Sequence, residues 1–119
     1  LEKETYTMLG DCCYHQGEYE RAWRYFEKSL HADSNDIGTL NNYAYFLAER
    51  GEQLSKAERM SMKTITAEPD NPTYLDTYAW ILHKLGRDKE ALPYIERALK
   101  LSDDDSETLK KHYDAIKGH

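Results

Sequence analysis

The sequence predicts an all-α fold assembled from repeated helix hairpins, and three observations carry that prediction. The first is helical periodicity. Between Thr73 and Leu101, the residues Leu75, Tyr78, Ala79 and Leu82 recur at the i, i+3, i+4, i+7 spacing of one helix face. Ala91, Ile95 and Ala98 form a second such face after the turn Gly86-Arg87-Asp88. The second observation is recurrence. Asn41–Gly51 and Asp76–Gly86 align without a gap, pairing Tyr43-Ala44-Tyr45 with Tyr78-Ala79-Trp80 and Leu47 with Leu82. Thr7–Gly17 aligns with both, with Leu9-Gly10 at the Tyr-Ala positions and Cys13 at the Leu position. The third is punctuation. Each aligned segment closes on a glycine (Gly17, Gly51, Gly86), and a small residue follows five or six positions later (Ala22, Ala57, Ala91).

Taken in order, each unit reads as a first helix, a glycine turn, a second helix and a polar break. The first unit ends in Asp33-Ser34-Asn35-Asp36, where Asp, Ser and Asn favour turns and helix caps. In the second unit, Gly51 to Ala57 is one residue longer than its counterparts, which predicts a looser turn. Its second helix, around 55–67, carries Ser61 and Thr64 on the inward face and is expected to be the least stable of the array. Pro69 stops that helix, and Pro72 opens the next at a position where a missing N–H costs nothing. Pro93 falls in the first turns of the third unit's second helix, where proline is tolerated better than in mid-helix. After Asp105, Leu109, His112/Tyr113 and Ile116 keep the first-helix spacing, but no glycine turn follows. That pattern predicts a terminal helix covering the last repeat with its polar residues outward. The acidic run Asp103-Asp104-Asp105 precedes it and is expected to cap it, since acid favours the positive end of the helix dipole.

Composition narrows the function classes. The chain has 119 residues, 39% hydrophobic and 32% charged, a globular balance sufficient for one domain. No apolar run approaches the ~18 residues of a membrane-spanning helix. The net charge is −6 and no Lys/Arg run supplies the basic stripe that nucleic acid requires. Leu1 opens the chain without a signal-peptide pattern, so the sequence is expected to begin inside a longer protein. Cys12 and Cys13 are adjacent, which is no disulfide framework.

A unit of about 34 residues built in this way resembles the tetratricopeptide repeat family. The resemblance covers nearly the whole chain. It implies a single domain, 1–119, that is an α-solenoid of three helix-turn-helix repeats (about 3–36, 37–71 and 72–105) plus a capping helix at about 106–117. It also implies that small residues (Gly10, Ala44, Ala79 and Ala22, Ala57, Ala91) let paired helices approach closely. The large residues Tyr6, Leu9, Phe26, Leu40, Tyr43, Leu75, Tyr78 and Ile95 then fill the layer between them. The spelling from Tyr74 to Leu82 is similar to repeats of bacterial members, including exported ones, so bacterial cytoplasm and periplasm both stay open as compartments.

In this family the first helices line a concave groove. Carried over position by position, the groove would comprise Thr7, Asp11, Tyr14 and His15 from repeat one. Repeat two would add Asn41, Asn42, Tyr45 and Glu49, and repeat three Asp76, Trp80, His83 and Lys84. The resemblance implies a non-enzymatic protein-interaction module that takes a peptide or helix of a partner. Tyr14, Tyr45 and Trp80 would dock it, and Asn41, Asn42, His83 and Lys84 would set its polar register. The plainer alternative has Tyr45 and Trp80 packing on the adjacent first helix. One subtype clamps chaperone C-terminal carboxylates with Lys and Asn. Here those positions hold Thr7, Asp11, Asn42, Thr73 and Thr77, of which only Asn42 fits, so such tails are expected not to bind. A structural role is the other reading: a stretch of a longer array, or self-association through an N-terminal face around Tyr6 and Met8.

Chemistry beyond binding finds little support in the residues. Cys12 and His15 share a helix face, but zinc wants four ligands and no second Cys/His pair stands at ligand spacing. Cys13 occupies a core position. His15, His31, His83, His112 and His119 are scattered and read as surface or groove-lining, with His15 and His83 able to approach each other. Glycines only punctuate turns, so no phosphate loop, cofactor or catalytic role is expected.

Overall fold

The computed structural model describes residues 2–102 and 106–118. Among the described residues it contains seven α-helices and no strand: α1 (Lys3–His15), α2 (Tyr19–Ala32), α3 (Ile37–Arg50), α4 (Leu54–Ala67), α5 (Pro72–Lys84), α6 (Asp88–Leu101) and α7 (Glu107–Lys117). Helix α1 packs chiefly on α2, α3 on α4, and α5 on α6, while α7 lies against α6 and α5. Successive hairpins meet through α3 on α5 and α4 on α5, giving an elongated stack of 42 × 26 × 25 Å.

The three hairpin turns share one hydrogen-bond pattern. Glu18 N–H donates to the Cys13 carbonyl, Glu52 to Leu47 and Arg87 to Leu82, each at 2.9 Å. This six-to-one closure needs a left-handed residue just past the helix, and Gly17, Gly51 and Gly86 supply it with φ of 79°, 66° and 79°. The extra residue of the second turn therefore does not loosen the cap. It is absorbed one step later at Gln53, whose φ of 46° is an uncommon backbone state for a side chain with a Cβ.

Side-chain caps begin each later repeat. Asp36 accepts from Thr39 N–H at 3.2 Å. Asn71 accepts from Thr73 and Tyr74 N–H, with Pro72 in the first helical turn. Ser106 accepts from Leu109 N–H at 3.3 Å. The cap expected from Asp103-Asp104-Asp105 lies outside the described residues, and Ser106 fills the N-cap position of α7. Helix α4 ends at Ala67, two residues before Pro69, and Pro93 sits inside α6 on its exposed side.

The small residues set the spacing within hairpins. Ala22, Ala44, Ala57, Ala79 and Ala91 are fully buried, and a Cβ placed on Gly10 would stand 2.7 Å from the Phe26 ring. Phe26, Tyr43, Leu47, Ile81, Leu82 and Ile95 are the large residues sealed between layers. Tyr6 and Leu9 depart from expectation and are only half-buried. In the aligned columns they correspond to Leu40/Leu75 and Tyr43/Tyr78, which are buried because a preceding hairpin lies against them. Ser61 and Thr64 are fully buried despite their polarity. The Thr64 hydroxyl donates to the Ser61 carbonyl at 2.7 Å, while Ser61 Oγ has no hydrogen-bond partner.

Candidate functional site

Helices α1, α3 and α5 present the candidate face, and aromatic rings give it continuity. Tyr14 on α1 stacks on Phe46 of α3 with ring centroids 3.9 Å apart and planes within 10°. His15 meets both rings edge-on. Further along, Trp80 on α5 stacks on His112 of α7 at 4.0 Å and on His83 at 4.9 Å, with Lys84 Nζ 5.0 Å from its centroid. Tyr45 of α3 lies between, 6.1 Å from Phe46 and 6.2 Å from His112. Tyr14, Tyr45 and Trp80 all keep part of their surface in solvent. They therefore do both things the sequence offered as alternatives: each packs on a neighbouring ring, and each remains accessible.

Glu49 joins these groups across the α3–α5 step. Its Oε1 accepts the Trp80 indole N–H at 2.9 Å. Burial, then the charge of Glu49 and a hydrogen bond to it, push the Tyr45 hydroxyl well above the usual phenol range. Tyr14 is raised by burial and then by the same carboxylate. On α1, burial raises the Asp11 carboxyl against the opposing pull of His15 and a hydrogen bond with Asn42. Asp11 Oδ1 is itself buried with no hydrogen-bond partner.

Two of the expected groove residues, Asp76 and Thr7, join helices together, and a third, Asn41, is buried. Asn41 and Asp76 are each only 8% exposed, so neither offers an open contact. Asp76 Oδ1 is bonded to His112 Nδ1 at 2.7 Å, which fixes α7 to α5. The Thr7 hydroxyl lies 2.7 Å from both Ser29 Oγ and Thr39 Oγ1, knitting α1, α2 and α3. The physical reason is common to Asp76 and Thr7. They face the next first helix at a distance a short polar side chain can bridge, so the helix contact uses them. His83 bonds Asp88 across the third turn at 2.6 Å, so it and His15 join different clusters instead of meeting. Cys13 is buried, while Cys12 and His15 face solvent.

Sequence reading missed two members of this face. Phe46 had a signal: it shares an aligned column with Cys12 and Ile81, the column that faces the preceding repeat. His112 was offered together with Tyr113 at the first-helix spacing and read as a surface or groove-lining histidine, and it is 6% exposed. Its spacing with Leu109 and Ile116, both buried, had placed it on the apolar face of α7.

A family model described as tetratricopeptide repeat matches residues 2–118. A tetratricopeptide repeat-containing protein of Pseudomonas aeruginosa is 33% identical over 61 residues, which make up 51% of this chain and 10% of that protein. Among solved structures, the Sgt2 tetratricopeptide domain from Aspergillus fumigatus superposes with a TM-score of 0.85 at 16% identity, over 97% of this chain and 76% of that one. The first tetratricopeptide domain of Spaghetti (RPAP3), bound to the HSP90 peptide SRMEEVD, superposes with a TM-score of 0.84 at 18% identity, over 98% of this chain and 90% of that one. At these identities the structural likeness is one of fold.

Proposed function

The chain belongs to the tetratricopeptide repeat family, and from that premise we propose that it is a non-enzymatic protein-interaction module whose first-helix face takes a peptide or helix of a partner. The observation that carries this reading is the chain of half-exposed rings, Tyr14, Tyr45 and Trp80, tied across three helices by Phe46, Glu49 and His112. Aromatic side chains held rigidly at partial exposure are the residues that most often dominate binding energy. The held geometry also lowers the entropy lost when a partner docks. Tetratricopeptide neighbours bind peptides, as the SRMEEVD complex illustrates for Spaghetti. The groove of this chain lacks the cations that would meet a terminal carboxylate: Thr7, Asp11, Asn42, Thr73 and Thr77 stand where such clamps would be. It is therefore expected to leave SRMEEVD-type tails unbound.

The test is affinity capture with wild type and with Tyr45→Ala/Trp80→Ala, after circular dichroism has shown equal helicity. A protein retained by wild type alone supports the reading. Equal retention by both places the site on another face.

A second reading has its own observation. Met8 is 67% exposed and Cys12 is exposed, in columns where later repeats place Asn42/Thr77 and Phe46/Ile81 against a preceding helix. This end face suits a further hairpin or a second copy. An elution volume that falls with concentration, and is restored by Met8→Glu, would support self-association.

A further inference from the structure

On the first-helix face an exposed carboxylate stands among aromatic rings, and that pairing specifies a partner chemistry. Glu49 is exposed and held by neutral donors, the indole N–H of Trp80 and the hydroxyl of Tyr45, so its charge is oriented but uncompensated. Asp11 Oδ1 has no hydrogen-bond partner. Asn41 precedes Tyr45 and Glu49 on one stripe of α3 at i, i+4, i+8. Asn41 is more than nine-tenths buried and closed to a ligand, so Tyr45 and Glu49 are the members of that stripe that a partner can reach.

Five of the protein's cations are already engaged, one of them on this face. Arg50, next to Glu49 in sequence, turns away to lie 4.0 Å over the Tyr19 ring and 3.9 Å from Glu52. Lys84 sits on Trp80. Lys3 pairs with Asp33 and Asp36, Lys56 with Glu27, and Arg87 with Glu58 and Glu90. His15 is within electrostatic reach of Asp11 but projects into solvent.

Resting on the reading that this face is the binding site, we infer that its occupant is a basic, arginine-bearing segment, with a guanidinium docked on Glu49 beside Tyr14, Tyr45 and Trp80. A guanidinium fits both halves of the surface. It carries only donors, matching the exposed Glu49 carboxylate, and its plane stacks on aromatic rings. The chain's net charge of −6 steers such a ligand toward it. The chemistry is opposite in sign to the acidic SRMEEVD peptide held by Spaghetti.

The experiment is fluorescence anisotropy with three short labelled probes: an alternating arginine–glycine peptide, the same peptide with citrulline for arginine, and SRMEEVD. Wild type, Glu49→Gln, Asp11→Asn and Glu20→Gln are compared, the last being an exposed acid on α2 that removes the same charge elsewhere. The inference expects the arginine peptide to bind wild type and the citrulline peptide to bind about tenfold or more weakly, the loss that one charge-assisted hydrogen bond carries. Glu49→Gln should lose a similar factor, Asp11→Asn somewhat less, and Glu20→Gln almost nothing. Equal binding by Glu49→Gln and Glu20→Gln would reduce the effect to diffuse surface charge and overturn the inference. So would preference for SRMEEVD, or no binding of the arginine peptide. If capture by Tyr45 and Trp80 persists in those cases, the binding face stands and only the charge assignment fails.

Discussion

The interior of each hairpin and the outer face of its first helix obey opposite rules. Inside, space decides. Repeat one sets the Phe26 ring on Gly10, repeat three sets Ile95 beside Ala79, and repeat two places Ser61 opposite Ala44 in the aligned positions, all fully buried except Gly10, which is nearly so. In repeats one and three a large residue faces a small one, while in repeat two small faces small. On the outer face, polarity decides. Glu49 is exposed, and the rings of Tyr14, Tyr45 and Trp80 beside it stay half in solvent. The difference teaches where to look for function: among charged and aromatic groups that the fold holds in place yet leaves in solvent.

The largest expected effect lies in the interior. Phe26→Ala empties the ring's place against Gly10 and should cost about 3–5 kcal/mol of unfolding free energy by urea denaturation. The same variant should leave binding by the surviving folded molecules unchanged. A loss of binding at full helicity would break the separation of interior from face.

Alkaline pH probes the interior phenols next. Tyr78 is pushed up to about 12, by burial first and then by Glu58, to which its hydroxyl donates at 3.2 Å. Tyr43 is raised further in the same direction by burial and Glu27. A phenol whose folded value exceeds the unfolded value of about 10 contributes stability that is present below pH ~10 and lost as pH rises through the folded value. Stability should therefore decline from about pH 10 upward, and Tyr78→Phe should flatten the decline. A profile that is level to pH ~12 would contradict the assigned burial.

Gly10→Ala comes third. Its Cβ would meet Phe26 at 2.7 Å, an overpacking expected to cost about 1–3 kcal/mol. Melting in the background of Phe26→Leu should recover part of that loss, because the clash is with the ring.

The smallest effect has the opposite sign. Ser61→Ala removes a buried hydroxyl oxygen with no partner and should stabilise the chain by about 1 kcal/mol in thermal or urea unfolding. A destabilisation would show that Ser61 Oγ is satisfied by a buried water.

Much of this organisation was legible in the residues because repetition is local. Gly17, Gly51 and Gly86 mark turns that need a left-handed residue, and the Ala columns mark close helix approach. Both signals sit within one unit. The errors came where one unit meets another. Asn41 and Asp76 read as groove residues because their own helix offers no reason to bury them. His112, arriving from 36 residues away, is what buries Asp76. Tyr6 and Leu9 read as core by column, but burial of that column depends on a preceding hairpin. The extra residue after Gly51 was visible, while its resolution at Gln53 was not, since caps of both kinds share the same sequence signal.

The most direct test of the account is amide hydrogen exchange on the chain alone and with its captured partner. The account predicts added protection along α1, α3 and α5, centred on Tyr14, Tyr45 and Trp80, with α2, α4 and α6 unchanged. Protection confined to the second helices, or to the end face at Met8, would contradict it.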